Sequence, residues 1–169
     1  MHESDMDEAH LSAVRVATAA DLDDLLALNR IVQELHARAE PAVYKPWSAE
    51  AMTATAQRRL RDPAGRYFVA VSTSGGLVGY VYAVHKTVEE NAFVYGTTFV
   101  ELDEISVLPA ARRRGVARAL SSHVALWARE VGASEVRLTV RAFNDTARQA
   151  YSALGYRPLQ YRFGLAVSK

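Results

Sequence analysis

The sequence predicts an α/β domain of the α+β kind, a mixed sheet covered by helices. Three observations support this. Runs of apolar residues at the two-residue period of a strand recur at residues 14–16, 66–72, 77–87, 93–108 and 135–141. Between them lie stretches with apolar residues at helical spacing, so the order reads β-α-α-β-β-β-α-β-α-β. The 169 residues are 50% hydrophobic and show neither internal repeat nor linker, which suits one domain with a real core.

In chain order, residues 1–12 carry Glu3, Asp5, Asp7 and Glu8 and read as a flexible N-terminal tail, leaving 13–169 as the domain. Thr18 and Asp21 have capping-box spacing. The helix they open should bury Leu22, Leu25, Leu26, Ile31, Val32 and Leu35 and end before Pro41. Residues 41–47 form a loop with two prolines and two aromatics. Ser48 caps a second helix that stops before Asp62 and Pro63. Residues 66–72 and 77–87 make a hairpin around the turn at 73–76. Residues 93–108 form a long strand region with a break expected near Gly96. A third helix should bury Val116, Leu120, Val124, Trp127 and Val131 and stop at Gly132. Residues 135–141 alternate as a strand. Asn144 caps a last helix ending at Gly155, and residues 156–167 close the chain as a strand or bent strand pair.

Composition removes several classes of function. Formal net charge is +1, from 20 basic and 19 acidic residues, which argues against nucleic acid as a partner. There is no cysteine, hence no disulfide, no thiolate zinc site and no thiol nucleophile. This suits a cytoplasmic location. No apolar run approaches the ~20 residues of a membrane span, and no signal-peptide pattern opens the chain.

The distinctive stretch is the one where the strand ending at Leu108 meets Pro109, then Arg112, Arg113, Arg114 and Gly115, then a helix. The first turn of a helix has unpaired N–H donors and a partial positive charge, so it attracts anions, phosphate above all. The arginines add full charges, and Gly115, lacking Cβ, admits close approach of a ligand to the backbone.

These motifs resemble the GNAT superfamily of acetyl-CoA-dependent N-acetyltransferases. The family fingerprint Arg/Gln-x-x-Gly-x-Gly/Ala reads here as Arg112-x-x-Gly115-x-Ala117. A second signature, an Asn-capped helix ending in Tyr-x-x-x-Gly-Phe/Tyr, reads as Asn144 followed by Tyr151-Ser-Ala-Leu-Gly155-Tyr156. The resemblance covers roughly residues 13–167. It implies a mostly antiparallel sheet splayed at the centre, between the strand before the turn and residues 135–141, with helices on both faces. It also implies acetyl-CoA as acyl donor, with the N–H groups from Arg113 through Arg114, Gly115, Val116 and Ala117 to Arg118 around the pyrophosphate. The backbones of Ile105 and Val107 would hold the pantetheine arm, and Asn144 would contact it.

The resemblance further implies direct attack of an amine on the thioester in a ternary complex, without a metal. Tyr151 matches the usual general acid. For the base, Glu101 and Glu104 rank nearly equal. Strand alternation puts Glu101 and Asp103 on one face with Ile105 and Val107, and Glu104 on the other, unless a bulge changes the parity. Thr139 stands where some relatives place a catalytic glutamate. His36, Tyr44, Trp47 and Asp103 are weaker acceptor-site candidates, while His85 and His123 read as structural. The acceptor is a primary amine of a small molecule or peptide, and the acidic residues favour a cationic one. A homodimer through the C-terminal strands fits the resemblance. A non-catalytic acyl-CoA-binding regulatory module on the same fold is the alternative.

Overall fold

A computed structural model of the chain describes residues 10–167. Most of the expected tail lies outside the described residues, but the first strand starts already at Leu11. The chain divides into two compact units, Met1–Thr139 and Val140–Lys169.

The first unit holds a sheet in the order β1 (Leu11–Val16), β2 (Gly65–Ser72), β3 (Leu77–Val88), β4 (Thr97–Val107) and β5 (Val136–Leu138). All pairs are antiparallel except β4–β5, which is parallel. The sheet is thus mixed and mostly antiparallel, as expected. Helices α1 (Leu22–Ala39) and α2 (Ala49–Leu60) cover one face, and α3 (Val116–Glu130) covers the other.

Local signals start the helices. The Asp21 carboxylate accepts the Thr18 N–H at 2.7 Å, the acidic half of the capping box. It also receives two hydrogen bonds from the Arg15 guanidinium, at 2.7 and 2.8 Å. Chiefly through Arg15, its pKa falls from 3.8 to about 2. Ser48 Oγ accepts the Ala51 N–H at the start of α2.

The two sheet faces follow from strand parity. Tyr67, Val69, Tyr80 and Tyr82 form a core with Leu25 and Leu28 of α1. Phe68 points the opposite way, edge-on to Trp127 of α3 at 6.1 Å. Val116, Leu120, Val124 and Trp127 are all buried, as their spacing required. Each contributes about 1.5–3 kcal/mol of apolar burial. Helix α1 departs from its expected pattern. Leu28 and Asn29 are buried, whereas Leu35 is 44% exposed near the end of the helix. Val131 is only half-buried because α3 has already ended at Glu130.

Three strand expectations are corrected. Residues 93–95 are not part of β4, which starts after Gly96; Phe93 and Tyr95 are 95% and 89% exposed. Only Val136–Leu138 of the 135–141 run pairs as a strand, with Val100, Glu101 and Leu102 of β4; the pairing stops there although β4 runs on to Val107. Residues 156–167 form no strand at all.

The second unit holds α4 (Asp145–Ala153). Asn144 caps it, its side-chain oxygen accepting the Ala147 N–H at 3.0 Å. Gly155, at φ 95°, ends the helix in the left-handed conformation. Beyond it Leu159, Tyr161, Phe163, Leu165 and Val167 are exposed at alternating positions.

Candidate active site

The arginine turn has the shape its sequence predicts. A short helical turn at Pro109–Ala111 follows β4, and α3 begins at Val116. Arg113 (φ 61°) and Gly115 (φ 83°) both adopt left-handed conformations. At Arg113 a side chain in that region costs roughly 1–2 kcal/mol, which the surrounding fold must sustain. A Cβ on Gly115 would meet open space, so glycine serves the backbone angle there and no protein atom crowds the turn. The Ala119 N–H bonds the Gly115 carbonyl at 2.9 Å. The N–H groups of Val116, Ala117 and Arg118 therefore belong to the first turn and lack a preceding helical carbonyl. Arg112, Arg113 and Arg118 are exposed around this start, and Arg114 is half-buried. Arg112 also turns back, its Nε donating to the Val107 carbonyl at 3.3 Å.

Before the turn, β4 has an open edge. Its pairing with β5 stops at Leu102, while its pairing with β3 runs on to Val107. This is the local separation that the splayed sheet required. The Leu108 N–H donates to Val78 on β3 at 2.9 Å. By alternation, the N–H groups of Ile105 and Val107 point away from β3, toward the open edge.

The carboxylates on β4 are arranged by a bulge. Tyr82 pairs with Glu104 but Ala83 with Leu102, so Asp103 is the extra residue. This overturns the simple alternation. Glu101 lies opposite Val84 and Glu104 opposite Tyr82, so both occupy the α1/α2 face. Ile105 and Val107 lie opposite Val81 and Gly79 on the α3 face. A Cβ added to Gly79 would touch Val116 and Val107 there.

The two glutamates have different surroundings. Glu104 Oε1 accepts hydrogen bonds from the Tyr80 hydroxyl and from Asn29 Nδ2 (2.9 Å). Its Oε2 lies 3.6 Å from Arg59, whose guanidinium also bonds Asp103 at 2.6 Å and stacks on Tyr82 at 4.5 Å. Asn29 in turn accepts from Trp47 Nε1 at 3.1 Å. Burial, reinforced by the Glu104 charge, pushes the Tyr80 pKa well up, so this phenol remains a donor. Burial works against the Arg59 charge, yet Glu104, Tyr67 and Asp103 together hold its pKa above the ordinary value. Glu101, by contrast, forms its one ion pair among the described residues with the half-exposed Lys86 across the sheet, and lies in register with Arg137 of β5.

Of the acceptor candidates, His36 and Tyr44 stack at 4.8 Å, and Trp47 joins the Glu104 network through Asn29. His123 fits its structural reading, with Nδ1 2.9 Å from the Ala119 carbonyl. His85 Nε2 is buried without a hydrogen bond. An open groove of about 680 Å³ is lined by Ala54, Gln57, Arg58, Arg59, Arg61, Asp62 and Tyr82. In the second unit, Tyr151 packs edge-on against Tyr156 at 5.5 Å; burial, with the Tyr156 charge, raises its pKa. Thr139 is exposed at the end of the first unit. Among the described residues no cluster of His, Asp and Glu is disposed to hold a metal ion, and no helix is long and apolar enough to cross a membrane.

Sequence reasoning missed Asn29, Arg59 and Tyr80. Only Asn29 carried a signal, as a polar residue beside Leu28 on the apolar stripe of α1. Nothing local distinguishes Arg59 from Arg58, or Tyr80 from the other aromatic strand residues.

A strand released from its parallel neighbour just before a basic, left-handed turn into a helix is the arrangement this α+β fold presents. The chain belongs to the acetyltransferase (GNAT) family, which it matches over residues 29–156. Over 95 residues it is 32% identical to a streptothricin acetyltransferase of Streptomyces lavendulae. The match covers 56% of this chain and 46% of that protein, so the chain spans about half the length of the curated relative. Among solved structures, a tetramutant of a Bacillus halodurans protein shares the fold at TM-score 0.86 and 18% identity, over 92% of this chain and 100% of that one. The aminoglycoside N-acetyltransferase AAC(6')-Iy in complex with CoA does so at TM-score 0.75 and 21% identity, over 92% and 93%.

Proposed function

We propose that the chain is an N-acetyltransferase that moves an acetyl group from acetyl-CoA to a primary amine of a small molecule or peptide, in a ternary complex. The observation that carries this reading is the β4 edge, free past Leu102 and leading directly into the turn at Arg112–Gly115. An extended arm can add to such an edge as a half-strand, bonding the N–H groups of Ile105 and Val107. The first-turn N–H groups of α3 and the arginines then receive the pyrophosphate. We assign the phosphates to Arg112, Arg113, Arg114, Arg118 and the backbone of Gly115, Val116 and Ala117. That a fold neighbour was solved with CoA supports the donor. The resemblance adds Asn144 as a contact to the arm.

For the base we choose Glu101. An amine of pKa near ~10 arrives protonated. Glu101, directly or through one water, takes that proton; its partner Lys86 is exposed and readily displaced. Glu104 has both oxygens engaged, so it acts as an electrostatic anchor. The freed nitrogen attacks the thioester carbonyl, a C–N bond forms, and the tetrahedral intermediate loses its second nitrogen proton to solvent and collapses with breakage of the C–S bond and loss of the thiolate. Tyr151, kept protonated by burial, is the donor we assign to that sulfur. The named relatives act on streptothricin and aminoglycosides, which supports a small-molecule acceptor.

We place the enzyme in the cytoplasm and read it as a homodimer. Among the described residues, none of 157–167 makes a hydrogen bond, and the exposed apolar side chains there alternate as on a strand awaiting a partner. Sedimentation showing a monomer at micromolar concentration would remove the dimer. Calorimetric titration with CoA, followed by thiol release from acetyl-CoA across an amine panel, tests the activity. Binding and turnover are expected; binding without turnover on any amine returns the chain to a sensor, and no binding sinks both readings.

A further inference from the structure

We infer that the groove beside Arg59 binds an anionic group of the acceptor, a carboxylate or phosphate, so that the acceptor is an amine carrying a negative charge at its other end. This rests on the acetyltransferase reading and names its substrate class. Three of the seven residues lining this groove are Arg58, Arg59 and Arg61. Arg59 is committed to Asp103, Glu104 and the Tyr82 ring. Arg58 and Arg61 are exposed, and neither guanidinium has a hydrogen-bond or ion-pair partner among the described residues. The acidic residue of the groove makes its bonds elsewhere. Asp62 Oδ2 accepts the Tyr82 hydroxyl at 3.1 Å and its Oδ1 accepts the Ala64 N–H at 2.9 Å.

Two basic residues at the C-terminal end of a helix, Arg58 in its last turn and Arg61 at its cap, would satisfy that end by themselves. Here, however, they flank a cavity, and the wall of that cavity continues into the carboxylate cluster. Tyr82 lines the groove and lies opposite Glu104 on the neighbouring strand, and Arg59 joins the groove to Asp103. An acceptor lying along this wall meets carboxylates at its amine end and guanidinium donors at its other end. Arginine is suited to that role, since its planar fork bonds carboxylate or phosphate through two donors. A polycation would gain at the carboxylates and be repelled at Arg58 and Arg61.

The test compares matched acceptors, ethanolamine against phosphoethanolamine and cadaverine against lysine, by thiol release from acetyl-CoA. The anionic member of one pair should show a KM about tenfold lower, of the order a charge-assisted contact supplies, and the pair that responds separates phosphate from carboxylate. In Arg58→Ala/Arg61→Ala the difference within that pair should collapse. Separately, inorganic phosphate is titrated into the protein while the arginine Nε–H resonances are followed. Saturable shifts at Arg58 and Arg61 support the groove even if no amine is acetylated, in which case only the transfer reading falls. A preference for spermidine or cadaverine over every anionic acceptor overturns the inference. So does an unchanged KM ratio in the double variant, or phosphate titration without a saturable shift.

Discussion

Glu101 and Glu104 sit three residues apart on one strand and on one face of the sheet, yet they occupy different worlds. Glu104 is held by a phenol, an amide and a guanidinium drawn from β3, α1 and α2. Glu101 faces a single exposed lysine. The comparison teaches how a fold gives two chemically identical groups different surroundings. A carboxylate surrounded by donors has its lone pairs occupied and anchors its neighbours. One with a solvent-screened partner can exchange that partner for an incoming ammonium at little cost.

Three substitutions can break or sharpen this contrast. The largest effect is expected from Glu101→Gln, which keeps shape but removes the proton acceptor. Turnover should fall at least ~100-fold, the usual worth of a positioned base, while the urea midpoint stays close to wild type. Steady-state kinetics with an amine of the preferred class decides this, and a change under threefold would transfer the role elsewhere. Glu104→Gln should reverse the pattern. It leaves the Arg59 charge short of its partner and unsettles the Tyr80 and Asn29 bonds, costing about 2–3 kcal/mol of stability, with a smaller effect on turnover. If chemical denaturation shows no loss, the anchoring role is wrong.

The smallest effect concerns a third carboxylate, remote from both. Asp21 is held near pKa 2, mainly by Arg15. A folded-state pKa below the unfolded one adds stability above the unfolded value, near 3.8, and loses it as pH falls through the folded value. Asp21→Asn should therefore cost about 1–2 kcal/mol at pH 7, with no change in turnover. The gap to wild type should narrow steadily between pH 4 and pH 2. Parallel urea melts across that window suffice, and a gap independent of pH would show that the ion pair contributes nothing.

The arginine turn was readable because its determinants are local. A strand, a proline, three arginines and a glycine occupy contiguous positions, and the helix start, cap and left-handed glycine follow from them. The apolar spacing of α3 and the Asn144 cap were readable for the same reason. The carboxylate faces were not. A period-two count assumes an unbroken pleat, and one extra residue at Asp103 reverses the parity of everything beyond it. The bulged residue bonds Arg59, forty-four residues away in sequence, a partner that no count along the strand reveals. The 135–141 run likewise had the right alternation, but only Val136–Leu138 pairs with β4, which itself runs on to Val107, and alternation does not say where a pairing stops.

By itself, then, the sequence determined the order of elements up to the last helix, the basic turn before α3 and the family they indicate, all of which rest on contacts within a few residues. The tertiary structure decided which carboxylate is anchored and which is exchangeable, and it assembled Asn29, Arg59 and Tyr80 around Glu104. It also set Arg58 and Arg61 on a groove wall. Those outcomes depend on side chains brought together from distant elements, where burial and competing partners fix each group's role, and no local pattern encodes that competition.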